Sequence, residues 1–247
     1  MSVLVLGGTA EARELAVALD ADKVEFVSSL AGRVSRPRLP VGEVRFGGFG
    51  GIDGLTEFLR DTRVTSVVDA THPFAAGISA HAWAACRATG VPLLRLARPG
   101  WGDEPGADRW HWVGGHDEAA ATAAGLAGKV LLTIGRQRLG RYVDPLASGP
   151  VLARVVDPVQ ETLPESWRVI LDRGPYCVDA ELSLMKQHDI DVLVTKDSGG
   201  DYTRAKLDAA HELGVDVVVV RRPEGTKTRW TVSDVAGAVR WLRARRG

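Results

Sequence analysis

Short apolar runs alternate with amphipathic stretches along most of this chain. "VLVLGG" near the start is followed by Glu11 to Leu19, where Ala12, Leu15, Ala16 and Leu19 fall on one face, so a strand and then a helix are expected. "VEFVSSL" and "VRFGGF" read as two more strands, "IDGLTEFLRD" as a helix, "SVVDAT" as a strand, "ISAHAWAACRATG" as a helix ended by Gly90, and "PLLRLAR" as a strand. Nearly unbroken apolar strands separated by helices imply a parallel sheet covered on both faces, the doubly wound arrangement.

The rhythm stops at "PGWGDEPG", Pro99 to Gly106, a Pro/Gly cluster with the composition of a linker. Beyond it come "RWHWVGG", a helix from about Asp117 to Leu126, "KVLLTIG", "VLARVVD", "WRVILDRG", a helix near Asp179 to His188, "VLVTKDSGG", a helix near Thr203 to Leu213, "VDVVVVRR" and a last helix through Trp241. The expectation is an α/β chain of two doubly wound, Rossmann-like parallel-sheet domains, residues 1–98 and 99–247, with a cleft between them for ligand. An offset of 124 carries Thr71 to Thr195, Gly90 to Gly214 and Arg98 to Arg222, as if one topology were used twice. The similarity of all βαβ units would also produce that echo.

Composition narrows the choice of ligand. The 247 residues are 45% hydrophobic and 25% charged with a formal net charge of +0, which argues against nucleic acid and for a small molecule. Cys86 and Cys177 stand far apart, outside any zinc or disulfide spacing, and both read as buried small hydrophobes; no metal site is expected. The start "MSVLVLGG" has no basic leader, and no stretch approaches the length of a membrane span, so a cytoplasmic location is expected; separately, a monomer is expected. Only six of the 31 basic residues are lysines, which reflects either a GC-rich genome or a need for arginine forks on carboxylates and phosphates.

Candidate chemistry gathers at the predicted strand ends. Gly7, Gly8, Thr9 and Glu11 form a turn into a helix N-terminus, a place for phosphate, although the full G-x-G-x-x-G spacing is missing and Glu11 also suits any helix start. "SSLAGR" after the second strand offers Ser28, Ser29 and Arg33 where an acid would suit NAD, and so favours NADPH. Gly47 and Gly48 in "GGFGG" allow a ligand close to the backbone. His72 in "DATHPFA" is either structural or a cofactor or proton-transfer group. In the second half, Thr133, Arg136, Gln137, Arg154, Arg173 and Lys196 follow successive strands, either as a cationic ring for a polyacid or as partners of Asp157, Asp172 and Asp197. "TKDSGG" adds Asp197, Ser198, Gly199 and Gly200 as an anion-holding turn.

Tyr202 and Lys206 match the Tyr-x-x-x-Lys pair of short-chain dehydrogenases, but they lie in the wrong domain for that chemistry and read as coincidence. The ordered set "GGTAEA", "DATHPFA", "ISAHAWAAC", "LLTIGRQ", "LARVVDP", "RGPY" and "LVTKDSGGDYTRAKLDAA" resembles the precorrin-6A reductases of cobalamin biosynthesis over nearly the whole chain, with Tyr176 where that family often has Phe. The resemblance implies NADPH-dependent reduction of one ring-D double bond of a flat polycarboxylate tetrapyrrole, giving precorrin-6B, without metal or flavin. On that basis Gly7, Gly8, Thr9, Glu11, Ser29, Arg33, Gly47, Gly48 and His72 are expected at NADPH. Thr133, Arg136, Gln137, Lys196, Asp197, Ser198, Gly199 and Gly200 are expected at the macrocycle, with His72, Lys196 and Asp197 as candidates near the proton transfer. The alternatives are a small-carbonyl reductase using Tyr202 and Lys206, and a non-enzymatic dinucleotide sensor.

Overall fold

The computed structural model describes residues 1–32, 37–126 and 128–245. The chain opens with β1 (Ser2–Leu6), α1 (Ala10–Ala21), β2 (Glu25–Leu30), β3 (Glu43–Phe46), α2 (Gly51–Asp61), β4 (Ser66–Asp69), α3 (Ala76–Thr89) and β5 (Leu93–Leu96). Thr9 starts α1 by accepting the Ala12 N–H, and Gly90, at φ 74°, ends α3 in the left-handed conformation that glycine takes without strain. Val3 to Leu6 are almost fully buried, as a strand covered on both faces requires.

The second stretch runs β6 (His111–Val113), α4 (His116–Leu126), β7 (Val130–Leu132), α5 (Gly140–Val143), β8 (Val151–Val155), β9 (Trp167–Leu171), α6 (Val178–Gln187), β10 (Val192–Lys196), α7 (Ala205–Leu213) and β11 (Asp216–Val220). It then ends with β12 (Trp230–Val232) and α8 (Val235–Arg243). Among the described residues there are two six-stranded sheets, ordered β12-β5-β4-β1-β2-β3 and β6-β11-β10-β7-β8-β9, and every pairing is parallel. No helix among them is long and apolar enough to cross a membrane.

The expected boundary near Pro99 is met, but the second domain does not run to the C-terminus. Residues 1–99 and 223–247 form one compact unit and residues 100–222 the other. β12 pairs with β5, so that strand does not remain an open edge, and α8 lays Ala238 and Leu242 on the core that α1 also covers. Trp230 and Trp241 meet edge to face at 5.7 Å, and Arg243 pairs with Asp22 at 2.8 Å. A last helix that read as part of the second domain therefore completes the first.

Two further expectations change. Cys86 is buried, and burial first, then the charge of Asp69, pushes its thiol up to about 12; Cys177 is exposed at the start of α6. The 124-residue echo holds at the caps Gly90 and Gly214, both left-handed, but slips upstream: Thr71 lies beyond the end of β4, whereas Thr195 lies inside β10.

Candidate functional sites

In the first unit the strand order reverses between β1 and β4, the position where open α/β sheets bind ligands at their carboxyl ends. The turn after β1 stays tied to β2 through Gly7 N–H to Ser29 O at 3.0 Å, and Gly8 takes φ 112°, a conformation that side chains rarely adopt. Thr9 donates its hydroxyl to Ala70 O at 2.8 Å while accepting from Ala12 N at 3.1 Å, which fixes the start of α1 against the end of β4. A small hollow opens on the β2 side of this turn, lined by Gly7, Gly8, Arg13, Ser28 and Arg38 among others. A second small hollow opens on the β4–β5 side, lined by Thr9, Glu11, Thr71, Pro73, Leu96 and Arg98 among others.

Glu11 pairs with Arg98 at 2.6 Å. Burial alone would raise its carboxyl, but its backbone hydrogen bond, Arg98 and Thr9 together hold it below the ordinary value. Ser28 Oγ is buried in the first hollow's wall without a hydrogen-bond partner. Ser29, Gly47 and Gly48 are gathered by a residue that sequence reading missed: Arg45 donates to Ser29 Oγ at 2.9 Å, Gly47 O at 3.2 Å and Gly48 O at 3.1 Å, and stacks on Phe49 at 3.8 Å. Its place on β3, just before the glycines, was the available signal. Arg33 lies outside the described residues.

His72 follows β4, and its Nδ1 accepts the Phe74 N–H at 3.2 Å, so the ring's remaining hydrogen sits on Nε2. The turn beneath it is built by Asp69, buried and paired with Arg95 at 2.6 Å, and by Thr71, which donates its hydroxyl to Asp69 at 2.7 Å. Thr71 and Pro73, on either side of His72, line the second hollow.

In the second unit the order reverses between β7 and β10, so the turns that carry Thr133 to Gln137 and Lys196 to Gly200 leave neighbouring strand ends. Thr133 donates both its N–H and its hydroxyl to Val194 O, at 2.9 and 3.1 Å. Gly135, at φ 81°, opens the turn that carries Arg136, Gln137 and Arg138. Lys196 ends β10 in a largely buried position, where burial and then the charge of Arg138 bring its amine down to about 8. His116, at the start of α4, lies 2.9 Å from the Tyr142 hydroxyl; burial, followed by Lys196, Arg138 and Arg141, brings its imidazole down to about 4. Arg138 and His116 were missed because the groups that bring them into play, Lys196 above all, are distant in sequence.

The expected cationic ring is reduced. Arg154 is buried, paired with buried Glu181 at 2.6 Å and stacked on Tyr176 at 4.1 Å, so it braces α6 against β8 instead of standing at the rim. Arg136 lies 3.8 Å from Asp157 and donates to Pro158 O at 3.3 Å, while Arg173 is half-buried. Asp197 is buried and accepts from Trp101 N and Arg222. Ser198 N–H turns back to Lys196 O at 2.6 Å, and Gly199 and Gly200 both take positive φ, 64° and 66°. Tyr202 is exposed whereas Lys206 is buried with Nζ on Thr203 O at 2.7 Å, so the two do not form a dehydrogenase-like pair. No group of His, Cys, Asp and Glu is placed to hold a metal among the described residues.

The sequence model of the family described as "Precorrin-6x reductase CbiJ/CobK" matches residues 2–243. A precorrin-6A reductase of Rhodococcus erythropolis is 50% identical over 241 residues, covering 97% of this chain and 96% of the relative. A cobalt-precorrin-6A reductase of Priestia megaterium is 30% identical over 236 residues, covering 90% and 91%. A solved structure described as "CobK precorrin-6A reductase" superposes with a TM-score of 0.93 at 38% identity, covering 100% of this chain and 98% of that one.

Proposed function

The chain belongs to the precorrin-6x reductase CbiJ/CobK family, oxidoreductases of cobalamin biosynthesis, and from that premise we propose that it reduces precorrin-6A to precorrin-6B with NADPH. The observation that carries this reading is the contrast between two turns that each flank the point where a sheet's strand order reverses: Gly7–Gly8–Thr9 after β1, and Lys196–Gly200 after β10, the counterpart of β4.

The first turn suits a dinucleotide. Gly7 and Gly8 leave room for a diphosphate at the start of α1, whose N–H groups and dipole favour anions. The small hollows on both sides of the turn mark where the two halves of such a ligand would lie, and the unpartnered Ser28 hydroxyl would supply a donor in one of them. Ser28, Ser29 and Arg38 in place of an acid favour the additional phosphate of NADPH, with Arg33 in the same stretch. His72, presenting an Nε2–H, and Glu11 with Arg98 would border the nicotinamide half. Bound NADPH supplies the hydride.

The second turn suits acids. Lys196, Arg136, Arg138 and the amides of Gly199 and Gly200 would hold acetate and propionate groups, with Thr133, Gln137 and the Ser198 side chain beside them. Lys196, with an amine near 8, can hold or release a proton at neutral pH, so it is our candidate for the proton that balances the hydride. The direct test follows NADPH absorbance after adding precorrin-6A, with NADH in parallel. Consumption of NADPH in step with the macrocycle, and much slower consumption of NADH, is the expected result; no consumption of either would overturn the reading.

A further inference from the structure

The Lys196–Gly200 turn is gripped by residues far from it in sequence. Trp101, fully buried, donates its backbone N–H to Asp197 Oδ1 at 3.0 Å and its indole Nε1–H to Gly200 O at 3.2 Å, so one residue holds two ends of the turn. Arg222 Nε donates to the Asp197 carbonyl at 3.0 Å and lies 3.2 Å from Asp197 Oδ2. The approach is close enough that a Cβ on Gly100 would lie 2.6 Å from Oδ2. Beyond the turn, Lys206 Nζ sits 5.1 Å from the Trp101 ring and donates to Thr203 O, extending the same brace into α7.

Both Asp197 oxygens therefore already have partners from the scaffold, one amide and one guanidinium. Its own N–H is also committed, to Val220 O at 2.9 Å, which continues the β10–β11 pairing past Lys196. We propose that Asp197 is a positioning residue: acting through Trp101 and Arg222, it holds the turn that presents Lys196 and the glycine amides, and it does not itself touch the macrocycle. This rests on the reading that the turn binds the substrate's acids. It assigns Trp101 and Arg222, neither of which stood out in the sequence, to the same task.

The test compares Asp197→Asn, Arg222→Gln, their double variant, Arg222→Lys and Trp101→Phe. Hydrogen exchange of the apo-protein reads the turn without any ligand. The expected result is faster exchange across residues 197–203 in Asp197→Asn and Arg222→Gln, partial recovery in Arg222→Lys, and a smaller change near Gly200 in Trp101→Phe, which keeps the backbone N–H. In turnover, each of the first two should raise KM for precorrin-6A about tenfold, the scale of one lost hydrogen bond to a charged group. The double variant should be no worse than either single one, because the residues act as a unit. The pH profile of kcat should keep its shape, and NADPH affinity should not move. Unchanged exchange in both variants would overturn the proposal. So would loss of turnover in Asp197→Asn with Arg222→Gln left intact, since that pattern puts Asp197 on the substrate. If exchange responds as expected but the native protein ignores precorrin-6A, the functional reading fails while the scaffold role stands.

Discussion

Five strands of each sheet follow the same order, yet the sheets differ at the point where it reverses. In the first unit that point is neutral and open: two glycines, a capping threonine, and a glutamate already matched by an arginine. In the second it is cationic and crowded, with Arg138 close enough to help lower Lys196, and both of them close enough to help keep His116 neutral. The lesson is that the fold supplies a position and the turn residues choose the ligand: amides and a helix start for phosphates, amines and guanidinium groups for carboxylates.

The units also differ in how the sixth strand is obtained. The second takes β6 from directly upstream, whereas the first waits for β12 and α8 from the end of the chain. Leu242→Ala should therefore have the largest effect, destabilising the first unit by about 3 kcal/mol through the cavity it leaves beside α1. Urea unfolding monitored separately in each unit by hydrogen exchange should show the loss in residues 1–99 and not in 100–222. Equal loss in both would erase this contrast.

Next in size is Lys196→Ala, expected to raise KM for precorrin-6A roughly a hundredfold, as removal of a charge-assisted contact in a partly dry site does. Steady-state kinetics with the macrocycle varied would show it. An unchanged KM would remove the cationic turn from the substrate site.

The smallest effect is a slope. Burial first, then the charge of Arg154, brings Lys206 from 10.5 to about 7, with Glu181 opposing. Between about pH 7 and 10.5 the unfolded chain carries a proton there that the folded chain lacks, so this group makes stability rise with pH across that window. Below about 7 both states are protonated and the penalty is present in full. Lys196 acts in the same sense from about 8 upward. Lys206→Met should flatten part of the rise in denaturant midpoints measured from pH 6.5 to 9.5, and an unchanged slope would deny Lys206 its buried, depressed state.

Much of this was legible beforehand. Apolar runs located the strands, Gly90 and Gly214 marked helix ends because the left-handed conformation favours glycine, and "PGWGDEPG" marked the crossing between units. What stayed hidden depends on partners distant in sequence. Arg154 looked like a rim cation until Glu181, on α6, was seen to bury it. The segment that forms β12 was not read as a strand and fell inside the expected second domain, because three residues carry no sign of which edge they will pair with. Asp197 was expected at the macrocycle or beside a strand-end cation because nothing local announces Trp101 or Arg222 as its partners.

The central claim, that the neutral turn holds the reductant and the cationic turn the polyacid, is tested most directly by calorimetric titration of NADPH into the native protein, Gly8→Val and Lys196→Ala. Gly8→Val, strained at φ 112° and crowding the diphosphate, should weaken binding at least about tenfold, with Lys196→Ala within about twofold of native. Weakening by Lys196→Ala with Gly8→Val unaffected would contradict the account by placing the dinucleotide on the second sheet.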